Sequence, residues 1–169
     1  MAAAAIFGEH DRIELLSGEI VEMTPIGSRH AACVSRLIHL LGRHLGEAAI
    51  LRIQDPVRLD DYSEPQPDLA VVKSRADFYR DAHPGAADVL LVIEVADTSA
   101  EIDRTVKVPL YARAGVREVW IIDLNSNQID VYRRPSSGSY LEHETVVHGG
   151  LLRPGGLPEF EVSLETVLG

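Results

Sequence analysis

The stretch Val89-Leu90-Leu91-Val92-Ile93-Glu94-Val95 decides the fold that the sequence predicts. It is apolar at every position except Glu94 and rich in β-branched residues, which is typical of a strand in the middle of a sheet with both faces covered. A carboxylate in such a strand must be paired, hydrated or metal-bound, because burying it alone is very costly. The stretch therefore predicts a central strand and makes Glu94 a candidate functional residue.

Signals on both sides of this strand predict further strands and helices. Pro109 lies inside a helical segment, so we expect a kink or two abutting short helices there. The mixed order of elements indicates an α/β (α+β) fold with a central mixed β-sheet flanked by helices. The predicted elements are a hairpin of Arg12–Leu16 and Glu19–Thr24, a helix at 28–48 capped by Ser28, strands at Ile50–Gln54, Val57–Leu59 and Leu69–Val72, a surface crossover at Lys73–Asp88, a helical segment opened by the Thr98 and Glu101 capping pair and ended by Gly115, a hairpin of Val119–Asp123 and Ile129–Arg134, and an edge strand at Glu142–His148.

Length and composition indicate an ordinary globular protein. The 169 residues fit a single domain over 1–169, with 1–10 as a loose N-terminal segment. No apolar run approaches the roughly 20 residues of a membrane span, and the alanine-rich start lacks a basic leader, which favours the cytoplasm. Cys33 is the only cysteine, which excludes an intramolecular disulfide and a multi-cysteine zinc site.

The acidic balance of the chain bears on its partners. A net charge of −10 counts against a general affinity for nucleic acid, because nonspecific DNA binding depends on Lys and Arg displacing counterions from phosphates. A clustered acidic site offset by divalent cations would contribute to the same total. The charge therefore does not exclude an enzyme that acts on nucleic acid.

Two carboxylates are placed to converge at one rim of the predicted sheet. Asp68 stands at the start of one apolar strand, and Glu94 lies close to the end of the central strand. Mg²⁺ prefers oxygen ligands and keeps several waters, so one or two carboxylates and substrate phosphate oxygens can complete its shell. Lys107, thirteen positions after Glu94, can fold back over the strand end and stabilise charge on a phosphate.

Each of these residues also has a purely structural interpretation. Asp103 and Lys107 have the spacing of an ion pair on a helix surface, and Asp68 can end the turn that begins before it. Glu94 is the hardest of the three to explain structurally, because it interrupts an apolar run.

Basic and aromatic residues leave two further alternatives open. Arg29, Arg36 and Arg43 recur every seven residues beside His30, and form either a basic stripe for a phosphate backbone or a solvated helix face. Tyr111 and Trp120 either stack on bases or belong to the core.

Several segments together resemble the Uma-type putative restriction endonuclease family of the PD-(D/E)XK nuclease superfamily. The resemblance covers about four fifths of the chain, and its motifs follow one another in the order and spacing of the family. The segments that carry it are Ser17-Gly18-Glu19-Ile20-Val21-Glu22-Met23-Thr24-Pro25 with His30, then Gln66-Pro67-Asp68-Leu69-Ala70-Val71-Val72, Ile93-Glu94-Val95-Ala96-Asp97-Thr98-Ser99, Asp103-Arg104-Thr105-Val106-Lys107-Val108-Pro109-Leu110-Tyr111-Ala112-Arg113-Ala114-Gly115-Val116, and Glu118-Val119-Trp120-Ile121-Ile122-Asp123.

The resemblance implies a restriction-endonuclease-like core with a Mg²⁺-dependent phosphodiesterase site, Mn²⁺ being an alternative cofactor. Asp68 and Glu94 match the metal ligands, and Glu19 matches an acid that either lies near the metal or is a solvated hairpin residue. The chain departs from the superfamily pattern at Ala96, where the superfamily places a lysine two positions after the acid. Lys107 on the following helix is the candidate replacement.

Two functions follow as hypotheses from these residues. The first is a metal-dependent endonuclease with DNA as the expected substrate, which would act as a homodimer if it cuts both strands. The alternative is a catalytically inactive protein of nuclease fold that binds nucleic acid or another protein, since fold does not fix function. Convergence of Asp68, Glu94 and Lys107 within a few ångströms would favour the enzyme.

Overall fold

The computed structural model describes residues 12–169 and contains a sheet of six strands. The strands of the chain are β1 (Ile13–Leu16), β2 (Glu19–Glu22), β3 (Ala49–Ile53), β4 (Leu69–Lys73), β5 (Val89–Ala96), β6 (Glu118–Asp123), β7 (Gln128–Ser136), β8 (Ser139–Val146), β9 (Leu151–Leu152) and β10 (Val162–Ser163). The large sheet has the order β3-β4-β5-β6-β7-β8, and only β5 and β6 run parallel to each other. The mixed sheet, the central position of β5 and the edge position of β8 are therefore confirmed.

Helices cover both faces of this sheet. They are α1 (Ser28–Leu45), α2 (Ala100–Ile102), α3 (Val108–Ala114) and α4 (Leu164–Leu168). On one face, Leu37 and Leu41 of α1 pack in the same apolar cluster as Ile93 of β5. On the other face, Val92 of β5 joins a second cluster with Tyr111 of α3. Neighbouring residues of β5 enter different clusters because side chains alternate across a strand.

The connection from β5 to β6 has the break that Pro109 predicts. A π-helical turn, Asp103–Lys107, separates α2 from α3, and Pro109 lies in the first turn of α3, where its missing N–H is tolerated. Gly115 ends α3 in the left-handed conformation with φ of 83°, as expected for a helix C-terminus. The segment is thus two short helices joined by a wider, π-helical turn.

Other local predictions need correction. Gly27 and Ser99 precede α1 and α2, and neither Ser28 nor Thr98 acts as a side-chain cap. The predicted strand Val57–Leu59 is reduced to an isolated bridge at Arg58, next to Pro56, a residue type that cannot donate to a ladder.

Two further points concern the connections and the N-terminus. Residues 73–88 join antiparallel neighbours and are therefore a long connection at one end of these two strands, not a crossover. The predicted loose segment 1–10 lies outside the described residues. Among the helices of residues 12–169, none combines the length and the apolar character that a membrane span requires.

Candidate active site

Strand register brings the two predicted carboxylates face to face. Leu69 of β4 pairs with Ile93 of β5, so in this antiparallel ladder the residue before Leu69 lies opposite the residue after Ile93. These residues are Asp68 and Glu94, and both are buried. The rim of the sheet at this point therefore carries two carboxyl groups with little access to water.

The Asp68 carboxylate is held by three neighbours. The Val95 backbone N–H donates to its Oδ2 at 2.9 Å, and His30 Nε2 lies 3.0 Å from the same oxygen. Gln54, which follows β3, donates from Nε2 to Oδ1 at 3.3 Å. His30 lies in the first turn of α1, which brings it to Asp68 across the end of the sheet. These contacts fix the orientation of the carboxylate.

Lys107 folds back over the end of β5. Its Nζ lies 3.2 Å from Glu94 Oε1 and 3.0 Å from Glu14 Oε1, and its side chain is buried. Tyr111, one helical turn later, donates its hydroxyl to Glu94 Oε1 at 2.7 Å. Asp68, Glu94 and Lys107 therefore gather at one rim of the sheet, as the sequence analysis anticipated.

Two acids of this site do not come from the predicted set. Glu14 of β1 is buried and contacts Lys107, and Asp103 approaches Lys107 with Oδ1 at 4.0 Å while accepting a hydrogen bond from Ser99 Oγ at 2.8 Å. The pair of Asp103 and Lys107 is thus buried in the site and is not a surface ion pair. Glu19 instead lies exposed at the start of β2, away from this group.

The sequence gives no clear signal for Glu14. In the hairpin, Glu14 shares a face with Leu16, and both are buried. Glu19 pairs with Leu16 next to the turn and is exposed there. The stretch Ile-Glu-Leu-Leu at 13–16 has no clean alternation, so its inward face cannot be assigned from sequence. The structure places Glu14 in the lining of the cleft, and Glu19 does not line it.

Burial shifts the pKa values of the acidic side chains in the site and of Lys107. Removal from water raises the pKa of Glu94 to about 8, although the Lys107 ammonium acts in the opposite direction. Burial alone would lower the pKa of Lys107, but the surrounding carboxylates raise it above the ordinary lysine value. Burial also raises the pKa of Asp103. With more carboxyl groups than ammonium groups, the site favours binding of a further proton or cation.

The site opens into a cleft of about 420 Å³. Its floor contains the carboxylates and Lys107, and its sides come from the segment after β2, the start of α1 and the loop that leads into α2. In the described part of the chain, no three His, Cys, Asp or Glu side chains are already arranged as a metal-ligand set.

The donors nevertheless fit a hydrated Mg²⁺. Both hydrogen bonds that residues 12–169 make to the Glu94 carboxylate fall on Oε1, which leaves Oε2 for another ligand, and Asp68 faces the same cleft. Mg²⁺ prefers such oxygens and takes much of its shell from water and phosphate. The residues present suit an ion that binds through two carboxylates, and they do not form an all-protein cage.

The remaining candidates have structural partners. Arg29 donates to the Leu124 carbonyl and pairs with Asp97 at 3.1 Å, and Arg36 donates to carbonyls at the end of α4. Arg43 is exposed. The three arginines therefore do not act together as an open basic stripe, and Trp120 and Tyr111, both fully buried, belong to the core.

Comparisons with known proteins identify a family and a similar fold. The profile of a family described as "Uma2: Putative restriction endonuclease" matches residues 2–165. The fold is similar to that of a "putative nuclease belonging to DUF820" from Anabaena variabilis ATCC 29413, with a TM-score of 0.75, covering 92% of this chain and 89% of that chain at 16% sequence identity. At this identity the likeness concerns the fold alone. No curated protein matches the sequence significantly.

Proposed function

The chain belongs to the Uma2 family of putative restriction endonucleases, and we propose that it is a metal-dependent endonuclease that hydrolyses phosphodiester bonds in DNA. The observation that carries this proposal is the convergence of Asp68, Glu94 and Lys107 on the floor of one cleft. Catalysis through a bound metal tolerates little displacement of its groups, and here all three come from rigid strand ends and a helical turn.

In this proposal, Asp68 and Glu94 hold Mg²⁺, or Mn²⁺ as the alternative. The bound ion supplies an activated water and neutralises charge on the phosphate. Lys107 stabilises the charge that develops on the phosphoryl oxygens. Tyr111 and His30 orient the two carboxylates by the hydrogen bonds described above. Glu14, and not Glu19, is the additional acid that the geometry supports.

The missing lysine at position 96 is compatible with this mechanism. Ala96 is fully buried at the end of β5, whereas the Lys107 ammonium reaches Glu94 from the π turn. An ammonium group that approaches from the helix can stabilise negative charge as well as one on the strand, because the attraction between two charges depends on their distance and not on their positions in the chain. The departure from the superfamily pattern therefore does not remove the catalytic cation.

A catalytically inactive binding module is the second candidate. It is favoured by the close pairing of Lys107 with acidic side chains, and by the absence of a preformed ligand set among residues 12–169. Homodimerisation and a cytoplasmic location remain predictions from sequence. The homodimer is expected only if the substrate is a duplex cut on both strands.

Cleavage of DNA by matched variants tests the proposal. We expect plasmid or single-stranded DNA to be cut with Mg²⁺ or Mn²⁺, and cutting to be lost in Asp68→Asn, Glu94→Gln and Lys107→Met proteins. Glu19→Gln is the matched control, because it removes an exposed acid outside the site. Cutting that persists equally in all variants indicates a contaminating nuclease. A folded wild type that binds Mg²⁺ and cuts no DNA supports the binding module.

A further inference from the structure

The depth of the cleft limits what can reach its floor. Glu94 and Asp68 are only 3% and 7% exposed, so a phosphate must enter the cleft to meet a cation bound between them. The volume of about 420 Å³ lies in the range of sites that enclose one small ligand. A double helix presents its phosphates as a continuous, stiff ridge and cannot bring one of them to carboxylates this buried without being distorted.

The cleft has few basic side chains that could contact the phosphates of a duplex. Among the Lys and Arg side chains of residues 12–169, only Lys107 and Arg12 line the cleft, and the Lys107 ammonium already contacts acidic side chains. Arg12 donates to the Thr24 carbonyl. Glu22 adds negative charge to the lining, and the charge of Asp97 is paired with that of Arg29. Nonspecific affinity for duplex DNA grows with the number of phosphates that basic residues neutralise, so this surface supports few such contacts.

The cleft instead presents apolar side chains to whatever enters it. Ile102 of α2 is 54% exposed and Ile26, from the segment between β2 and α1, is 42% exposed, and both line the cleft. Met23 and Pro25 extend this apolar lining. Bases in a duplex are stacked on one another and keep their faces away from such side chains, whereas an unpaired base exposes its apolar faces to them.

We propose that the cleft admits an unpaired nucleotide strand, with the phosphate at the carboxylates and a base against Ile26 and Ile102. The proposal rests on the proposed nuclease function and specifies its substrate class. Affinity then comes from base contacts and from the bound cation, and only weakly from neutralising the rest of the backbone. A single protomer suffices for such a substrate, because one strand needs one site.

Competition between matched substrates tests this inference. The wild type is given Mg²⁺ and a mixture of a single-stranded oligodeoxynucleotide and the blunt duplex of the same sequence, each with its own fluorescent label. We expect initial cleavage to favour the single strand by about tenfold, which is on the order of what covering one exposed isoleucine contributes.

Two variants show whether the apolar residues cause the preference. Ile102→Ser should raise KM for the single strand several-fold and leave kcat nearly unchanged, because it touches the base and not the reacting phosphate. Leu151→Ser, an exposed apolar residue of β9 that does not line the cleft, is the matched control and should keep the wild-type KM.

The outcomes separate this inference from the function on which it rests. Preference for the single strand that is lost in Ile102→Ser and kept in Leu151→Ser supports it. Equal or faster cleavage of the duplex overturns the inference and leaves the nuclease function standing. A single-strand preference unchanged in Ile102→Ser also overturns the assignment of the base site. No cleavage of either substrate by folded, Mg²⁺-binding protein overturns the proposed function, and this inference with it.

Discussion

Replacing Lys107 by methionine tests whether its ammonium group stabilises the buried carboxylates in the folded protein. Methionine keeps an unbranched chain of similar length but leaves Glu14 and Glu94 without the cation that lies 3.0 and 3.2 Å from them. Removing one partner of a buried ion pair usually costs about 3 to 5 kcal/mol, because the other charge stays buried without compensation. We expect the loss in the free energy of unfolding to approach that size above about pH 8 without divalent cations, where Glu94 is ionised in the folded wild type.

The loss should depend on pH in a defined direction. The folded-state pKa of Glu94 is raised from the ordinary 4.5 to about 8. Below pH 4.5 this carboxyl group is protonated in both the folded and the unfolded protein, so its burial does not lower the free energy of unfolding. As pH rises from 4.5 to about 8, the group ionises in the unfolded protein first, so the free energy of unfolding falls progressively. Without Lys107, which acts to lower that pKa, the folded variant keeps Glu94 protonated to higher pH, so its stability goes on falling above about pH 8, where that of the wild type levels off. The part of the difference that comes from Glu94 should therefore be small between about pH 4.5 and 8 and grow above about pH 8.

Urea unfolding followed by tryptophan fluorescence measures this difference. Trp120 is the only tryptophan and is fully buried, so its emission reports the folded core. The double variant Glu94→Gln with Lys107→Met controls for lost packing, and should recover stability at high pH because one uncompensated carboxylate is gone. The reasoning is refuted if Lys107→Met is as stable as the wild type above about pH 8, or if the double variant is no more stable there than the single one.

Three further predictions concern neighbouring features. Tyr111→Phe should lower the free energy of unfolding by about 1 to 3 kcal/mol, since it removes a buried hydroxyl that donates to Glu94, and an unchanged urea midpoint would contradict this. Arg104→Gln should lower the free energy of unfolding by about 2 kcal/mol, because Arg104 in the π turn forms ion pairs with one aspartate of β6 and one of β7. Arg75→Gln, which breaks an exposed ion pair, should lower it by less than about 1 kcal/mol. The Cys33 thiol, whose pKa burial raises to about 11, should react with iodoacetamide far more slowly in folded than in urea-unfolded protein at neutral pH, and equal rates would exclude a buried thiol.

The central part of the fold could be predicted because it depends on local pattern. The stretch Val89–Val95 is apolar at every position except Glu94, which favours a central strand, and β5 is that strand. The position of Asp68 opposite Glu94 depends on the antiparallel register of β4 and β5, which the predicted crossover between these strands did not anticipate. The break at Pro109 follows from the chemistry of proline.

The rest of the site depends on contacts that sequence spacing does not reveal. Glu14 lies on a short hairpin whose inward face the residues alone do not specify, and it reaches the site only because that hairpin packs beside the sheet rim. His30 meets Asp68 through the way the start of α1 crosses the end of the sheet. Such packing is set by tertiary contacts between distant segments, which a single sequence does not encode in any periodic pattern.

The π turn explains why Asp103 and Lys107 lie in the site and not on the helix surface. In a regular α-helix, Asp103 and Lys107 would lie one above the other on one face, as the spacing predicts. The wider turn before Pro109 lies over the end of β5 with both side chains buried, so the ammonium enters the group of carboxylates from the helical side. Burying several acids around one lysine destabilises the metal-free protein, and proteins retain such costs mainly where function requires the charges. A divalent cation bound between Asp68 and Glu94 would offset that cost, so the same excess of negative charge that weakens the metal-free protein favours metal binding.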